Sequence, residues 1–209
     1  MIPKVRHNRL PDGYQEVEWL RGTGTQYCIT AFNPYNDGNT FISMRGDLIA
    51  LNINSEINII GASSSTSYYG IDIAKYTYGM NCQLGLAPNN IYTFGIQGTM
   101  NFNFHYEINQ TECIINEHIF DVNWPTFYMS RKISIGKLLP NSRICNRDVL
   151  IKTISIYEND TLISEIIPCF RKSDGVAGFY QTYVPASPEN FNFITNLGTG
   201  DDWLIGPEV

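Results

Sequence analysis

The chain has 209 residues, of which 13% are aromatic and 16% are charged, and its formal net charge at pH 7 is -6. This length accommodates a single β sandwich with a buried core, and the many flat side chains favour strands. The negative charge argues against a nucleic-acid-binding protein, whose affinity comes from neutralising phosphates. No apolar run is long enough to span a membrane. Neither nucleic acid nor a membrane is therefore expected as a partner.

The N-terminus is the one strongly basic stretch. Lys4, Arg6 and Arg9 fall within the first ten residues, which contain no acidic residue. An exposed tail explains this pattern, and the alternative is an arm over residues 1–13 that docks on an acidic partner. Residues 14–209 are predicted to form one domain, because no repeat or linker divides them. The N-terminus lacks the apolar stretch of a secretory signal, which predicts synthesis in the cytoplasm.

Short runs of β-forming residues alternate with turn residues along the chain, and no amphipathic helix interrupts them. This rhythm predicts two antiparallel sheets packed face to face. The predicted strands cover residues 14–20, 25–32, 40–44, 47–53, 57–62, 67–74, 80–86, 91–97, 101–107, 112–116, 118–122, 132–136, 149–157, 161–168, 176–181, 191–194 and 203–205.

Three turns are predicted in detail. Asn159 with Asp160, and Asn116 with Glu117, separate β-forming runs in the manner of hairpin turns. The RKSD sequence at residues 171–174 is interpreted as a turn held by local side-chain hydrogen bonds rather than as a ligand site.

The five cysteines are scattered along the chain without a CxxC pair. An odd number without close spacing indicates reduced, buried thiols rather than a disulfide framework. The residues are Cys28, Cys82, Cys113, Cys145 and Cys169.

Two stretches near the ends of the chain form distinctive motifs. The first is LPDGYQEVEWL at residues 10–20, followed by TGTQY at residues 23–27. The second is IPCFRKSDGVAGFY at residues 167–180, followed by a glycine-rich end. Together they resemble the laminin-G-like, concanavalin-A-like jelly-roll domains of phage and prophage structural proteins from gut bacteria. The middle of the chain is similar only as a succession of strands.

The resemblance implies an all-β, two-sheet antiparallel jelly-roll sandwich. It also implies a non-catalytic virion structural protein that decorates a phage capsid or tail, with the basic arm docked on other virion proteins. Such a protein is made in the bacterial host cytoplasm and becomes part of the virion. The alternative is a carbohydrate-binding, lectin-like adhesion module of a bacterial or prophage surface protein, and both roles are compatible on one particle. The sequence leaves open whether the protein is a homo-oligomer.

Four tyrosines occur among asparagine, serine and glycine residues, which suggests a ligand-binding surface. Exposed tyrosine rings suit stacking on sugars and also suit protein interfaces, because a rigid ring contributes area at little entropic cost. The alternative is that the rings pack between strands. The candidate ligand-binding residues are Tyr68, Tyr69, Tyr76 and Tyr78.

Glu16 and Glu18 are the candidates for catalytic carboxylates. Alternate residues of a strand lie roughly 6.5–7 Å apart on one face, which overlaps the separation that glycosidases use. The acid cluster of concanavalin-like hydrolases, an ExDxxE or ExDxE run, is missing around them. We therefore interpret both as the solvated face of a strand, and a glycoside hydrolase is disfavoured.

Two kinds of metal site are considered. If the strands at residues 101–107 and 112–122 pair, a group of histidine and oxygen ligands comes together, although ordinary polar strand faces give the same set. The group comprises His105, Glu107, Asn116 and His118. Calcium is compatible with a lectin-like fold, and the loops at residues 36–39 and 200–202 are candidates that are more simply explained as turns.

Overall fold

The computed structural model describes residues 8–50, 57–63, 68–76, 79–87, 90–96, 102–116, 118–121, 125–137, 149–186, 191–199 and 202–209. These residues contain strands, turns and loops but no helix, and so none that could cross a membrane. The strands are β1 (Tyr14–Glu16), β2 (Leu20–Arg21), β3 (Cys28–Ile29), β4 (Tyr35–Asn36), β5 (Ile42–Ala50), β6 (Ile57–Ser63), β7 (Tyr68–Tyr76), β8 (Gly79–Ala87), β9 (Asn90–Ile96), β10 (Phe102–Ile108), β11 (Glu112–Ile115), β12 (His118–Asp121), β13 (Phe127–Tyr128), β14 (Ser134–Ile135), β15 (Val149–Glu158), β16 (Thr161–Arg171), β17 (Ala177–Gln181), β18 (Phe193–Thr195) and β19 (Leu204–Ile205).

Two antiparallel sheets contain most of these strands. The larger has the order β12-β11-β10-β5-β15-β16-β17-β18, with β1 paired to β16 and β2 paired to both β15 and β19. The smaller has the order β3-β14-β6-β7-β8-β9, and a two-stranded ribbon joins β4 to β13. The predicted all-β, two-sheet antiparallel sandwich is therefore confirmed, and it is the architecture to which jelly rolls belong.

The main core lies between the two sheets. Met44 and Ile154 of the larger sheet are wholly buried in one cluster with Tyr69 of the smaller sheet. The Tyr69 hydroxyl donates a 2.8 Å hydrogen bond to the Ile42 carbonyl, and its ring lies 6.5 Å from that of Phe41. Because burying each large side chain stabilises the fold by roughly 1.5–3 kcal/mol, this cluster is the principal source of stability.

A second apolar cluster lies on the opposite face of the larger sheet. Successive residues of a strand point to opposite faces of the sheet. Ile166 therefore belongs to the main core, whereas Ile167 and Cys169 lie on the outer face of the sheet, where they are buried by other residues. Residues from both ends of the chain cover them. This outer-face cluster consists of Leu10, Tyr14, Ile167, Cys169, Tyr180 and Phe193.

The two terminal motifs pair directly with each other beside this cluster. Backbone hydrogen bonds run from Val17 N to Pro168 O (3.0 Å) and from Lys172 N to Gly13 O (2.9 Å). Leu10 is only 8% exposed, so the chain packs against the sheet from at least this residue onward. The division into an arm and a domain at residue 13 stays a prediction, because residues 1–7 lie outside the described residues.

The predicted turns are confirmed at their described residues, whereas Glu117 lies outside the described part of the chain. Asn116 joins β11 to β12 with a φ of 52°, and Asn159 and Asp160 join β15 to β16 with φ of 45° and 62°. Asparagine and aspartate adopt this left-handed conformation more readily than other non-glycine residues. Arg171 Nη2 donates a 2.6 Å hydrogen bond to Asp174 Oδ2, which holds the RKSD turn locally.

The described thiols agree with the predicted reduced state. Cys28, Cys113 and Cys169 are free and buried. Burial raises the pKa of all three, that of Cys169 to about 12, which keeps them protonated and unreactive. The side chain of Cys82, and Cys145 altogether, lie outside the described residues.

Candidate functional site

Of the four tyrosines proposed from the sequence, one is buried in the core and the side chains of the other three lie outside the described residues. Tyr69 is 0% exposed and belongs to the main core, so it is a packing residue rather than a ligand-binding one. Tyr68 and Tyr76 are the end residues of β7, but their side chains lie outside the described residues, as does Tyr78 altogether. The assignment of these three stays a prediction.

The two candidate carboxylates lie in different environments. Glu18 is exposed as predicted, but the solvated-face interpretation is wrong for Glu16, which is only 4% exposed. β1 ends at Glu16, so the strand does not extend to Glu18. The regular alternation of strand faces that would place the two carboxylates side by side is therefore not present. Arg9 holds the Glu16 carboxylate through Nη2 (2.6 Å) and Nε (3.0 Å) and also contacts Glu165 through Nη1 (2.9 Å). Both Glu16 and Arg9 are therefore engaged within the domain.

The histidine group is only partly assembled. β10 does pair with β11, and the backbone N–H of His105 donates a 2.8 Å hydrogen bond to the Asn116 side-chain oxygen Oδ1. However, His105 Nδ1 lies 3.1 Å from Asp47, while Glu107 accepts a hydrogen bond from the neighbouring amide of Asn109. The His118 side chain lies outside the described residues, among which no three metal-ligating side chains come together.

The calcium loops stay a prediction. In the first, Asp37 Oδ1 accepts the backbone N–H groups of Asn39 (2.8 Å) and Thr40 (2.7 Å), and these bonds lower the pKa of Asp37. This carboxylate therefore already closes its own turn. In the second loop, residues 200–201 lie outside the described residues.

The structure instead brings residues from four separate segments, three of which contribute aromatic rings, around a cleft of about 670 Å³. The segments are the chain around β4, the chain around β13, the β15–β16 hairpin and the loop after β17. A cleft of this size, with a few polar groups among aromatic walls, is typical of small-molecule sites. We define this aromatic cleft by six of its lining residues: Phe32, Asn33, Tyr35, Tyr128, Glu158 and Tyr183.

The two outermost rings of the aromatic cleft stand on backbone that is fixed by hydrogen bonds. Tyr128 pairs with Tyr35 across the β4–β13 ribbon, and Asn33 Nδ2 donates to the Met129 carbonyl at 3.0 Å. The Tyr183 N–H donates to Ser164 Oγ, whose hydroxyl donates to the Tyr183 carbonyl at 3.0 Å. Yet the Tyr128 and Tyr183 side chains are 74% and 53% exposed. Their backbone is held in place while their rings face solvent.

The polar centre of the cleft is a hydrogen bond between a phenol and a carboxylate. Tyr35 Oη donates to Glu158 Oε1 at 2.6 Å. The pKa of Tyr35 is raised to about 12, mainly because the phenol is desolvated and secondly because of this hydrogen bond. The phenol therefore keeps its proton at neutral pH. The pair presents hydrogen-bond acceptors to a ligand and does not offer a phenolate nucleophile.

Sequence reasoning missed this cleft because its members are far apart in the chain. Tyr35, Tyr128 and Tyr183 belong to no common strand or motif. One weak signal exists, since Pro34, Pro125 and Pro185 lie within three residues of them. Proline marks irregular segments, and loops positioned by a rigid scaffold often carry binding residues.

Comparison with known proteins provides no further assignment. No protein-family model matches the chain, and no curated protein is similar enough to count as a relative. The resemblance of the terminal motifs to phage domains stays a prediction, and the candidate site is supported by geometry alone.

Proposed function

We propose that the chain is a non-catalytic virion structural protein of a phage, and that its aromatic cleft binds a glycan. The observation that supports glycan binding is the exposure of Tyr128 and Tyr183 on hydrogen-bonded backbone at the cleft. The virion setting is supported by the resemblance of the two terminal motifs.

The residues of the aromatic cleft match the chemistry of a sugar ring. A pyranose has apolar C–H faces, which pack against flat tyrosine rings, and a rim of hydroxyl groups. Glu158 and the Tyr35 hydroxyl oxygen are acceptors for such hydroxyls, and hydrogen bonds to an ionised carboxylate are stronger than neutral ones. Rings that are already positioned lose little conformational entropy when a ligand binds.

The lining of the aromatic cleft also supports a non-catalytic role. Glu158 is the only carboxylate among the described residues that line it, whereas most glycosidases use two carboxyl groups. The raised pKa of Tyr35 disfavours a tyrosine nucleophile in its place.

A glycan array tests the binding proposal directly. The wild-type protein, with and without calcium, should be retained on a defined set of glycans, and Y128A/Y183A should lose that retention. I119A is the control, since Ile119 is 61% exposed on β12 and lies outside the cleft. Retention of no glycan, or equal retention of wild type and double variant, would refute the proposal. Mass spectrometry that finds a retained glycan shortened would refute the non-catalytic part.

Docking through the basic arm is a separate part of the proposal. Arg9 is engaged by Glu16 and Glu165 of its own domain, so we assign the contact with an acidic virion partner to Lys4 and Arg6. K4A/R6A should be incorporated into particles less than the wild type. Incorporation at the wild-type level would exclude this arm as the anchor.

The alternative setting is an adhesion module on a bacterial or prophage surface protein, which uses the same cleft. The neighbouring genes discriminate between the two settings. Portal, capsid and tail genes are expected for a virion protein, whereas genes for surface proteins would favour the alternative.

A further inference from the structure

A second cleft, of about 440 Å³, lies next to the aromatic cleft. Ala31 and Lys132 line both clefts, so the two share a wall. The second cleft lies between β3 of the smaller sheet and β18 at one end of the larger sheet, on a side of the sandwich. We define this apolar cleft by Ile29, Gln181, Phe191, Phe193, Ile194 and Leu197.

The walls of the apolar cleft are mainly hydrocarbon. Phe191 and Leu197 are 68% and 55% exposed, and adjacent exposed apolar side chains of this size are typical of interaction sites. Gln181 is a buried polar residue of the lining, and both ends of its amide hold the walls together. Its Oε1 accepts the Ala31 N–H at 2.8 Å, and its Nε2 donates to the Phe191 carbonyl at 2.7 Å.

We propose that the apolar cleft holds an acyl or alkyl chain attached to the glycan in the aromatic cleft, so that the ligand is an amphiphilic glycan. This inference rests on the proposed glycan-binding function. Because Ala31 and Lys132 line both clefts, the two lie side by side, and a ligand that passes these residues reaches both. The lining of the aromatic cleft includes three tyrosines and a carboxylate, whereas the described lining of the apolar cleft includes neither and is mainly isoleucine, leucine and phenylalanine beside a few polar residues. This difference matches a ligand with a polar and an apolar half.

The test compares methyl and octyl glycosides of glucose, galactose, mannose and N-acetylglucosamine, measured by titration calorimetry below the critical micelle concentration. Each fully buried methylene adds roughly threefold to fourfold in affinity, so we expect the octyl form of a recognised sugar to bind at least ~10-fold tighter. In L197S this advantage should largely disappear while the affinity for the methyl form is unchanged. L162S is the matched control, because Leu162 is similarly exposed, at 51%, but lines neither cleft.

The outcomes separate this inference from the proposed function. Equal affinities for methyl and octyl forms, or an octyl advantage that survives in L197S, would overturn the amphiphilic ligand and leave glycan binding intact. Octyl glycosides that bind regardless of the sugar, with no effect of Y128A, would refute glycan binding and the amphiphilic ligand together. Failure of every octyl glycoside to bind would overturn this inference, and the glycan array would then decide on the aromatic cleft independently.

Discussion

The outer-face cluster and the aromatic cleft are both rich in aromatic rings, but they use them in opposite ways. In the outer-face cluster the ring of Tyr14 lies 5.0 Å from the rings of both Tyr180 and Phe193. In the aromatic cleft the side chains of Tyr128 and Tyr183 are largely exposed. The rings of the first region pack mainly against one another, whereas those of the second leave apolar area available to a ligand.

The polar groups of the two regions differ in the same way. Beside the outer-face cluster, Arg9 and Glu16 neutralise each other. Elsewhere in the first terminal motif, Gln26 is wholly buried and its Nε2 donates to Thr23 Oγ1 at 2.7 Å. At the aromatic cleft, Glu158 accepts one hydrogen bond from Tyr35 and is exposed. The motif-bearing region therefore stabilises the fold, and the region without motifs is the one suited to binding.

Truncating a buried side chain of the outer-face cluster should have the largest effect on stability. Ile167 is 0% exposed, and I167A should lower the free energy of unfolding by about 3 kcal/mol, because it removes buried methyl groups and leaves a cavity. Urea unfolding measures this loss. The control L162A, at an exposed site, should change it by less than about 0.5 kcal/mol. Similar values for the two variants would show that the outer-face cluster does not stabilise the fold.

Neutralising Glu16 should have the next largest effect. E16Q leaves the Arg9 guanidinium without its main counter-charge, but Arg9 is 43% exposed and partly hydrated. We therefore expect a loss of about 2 kcal/mol rather than the larger value of a fully buried pair. E18Q is the control, and chemical denaturation of both variants checks the difference. Equal stabilities of E16Q and E18Q would mean that the buried Glu16 carboxylate does not stabilise the fold.

Removing one ring from the aromatic cleft should change affinity and leave stability nearly unaltered. Y128A is expected to weaken binding of an array-identified glycan about tenfold, which corresponds to about 1.4 kcal/mol. Its free energy of unfolding should change by less than about 0.5 kcal/mol, because the ring is 74% exposed. Calorimetric titration and urea unfolding of the same preparation provide both values. A destabilised Y128A would place this ring with the structural residues instead.

The smallest expected effect concerns the exposed RKSD turn. The hydrogen bond from Arg171 lowers the pKa of Asp174, so the contribution of this carboxylate to stability is present above its unfolded pKa and is lost as pH falls through its folded pKa. In R171Q the pKa of Asp174 should rise, whereas K172Q should leave it unchanged. A carboxyl NMR titration measures both. A pKa that does not respond to R171Q would mean that the turn is not held by this pair in solution.

The fold could be predicted from the sequence because its determinants are local or lie in contiguous motifs. The alternation of β15, the turns at Asn116 and Asn159, and the LPDGY and IPCFRKSD motifs are each visible within a short window. Burial of Glu16 could not be predicted, because it depends on Arg9 and Glu165, which only the folded sheet brings together. The aromatic cleft was missed for the same reason. The sequence pointed to the tyrosine-rich stretch that includes Tyr69, whose place in the core depends on packing between sheets.

The most direct test of the separation between a structural region and a binding region measures stability and glycan affinity in I167A and Y128A together. We predict a crossed result. I167A should lose several kcal/mol of stability and, while folded, bind the array-identified glycan like the wild type. Y128A should keep its stability and lose about tenfold in affinity. Loss of affinity in folded I167A, or unchanged affinity in Y128A, would contradict the assignment of recognition to the aromatic cleft.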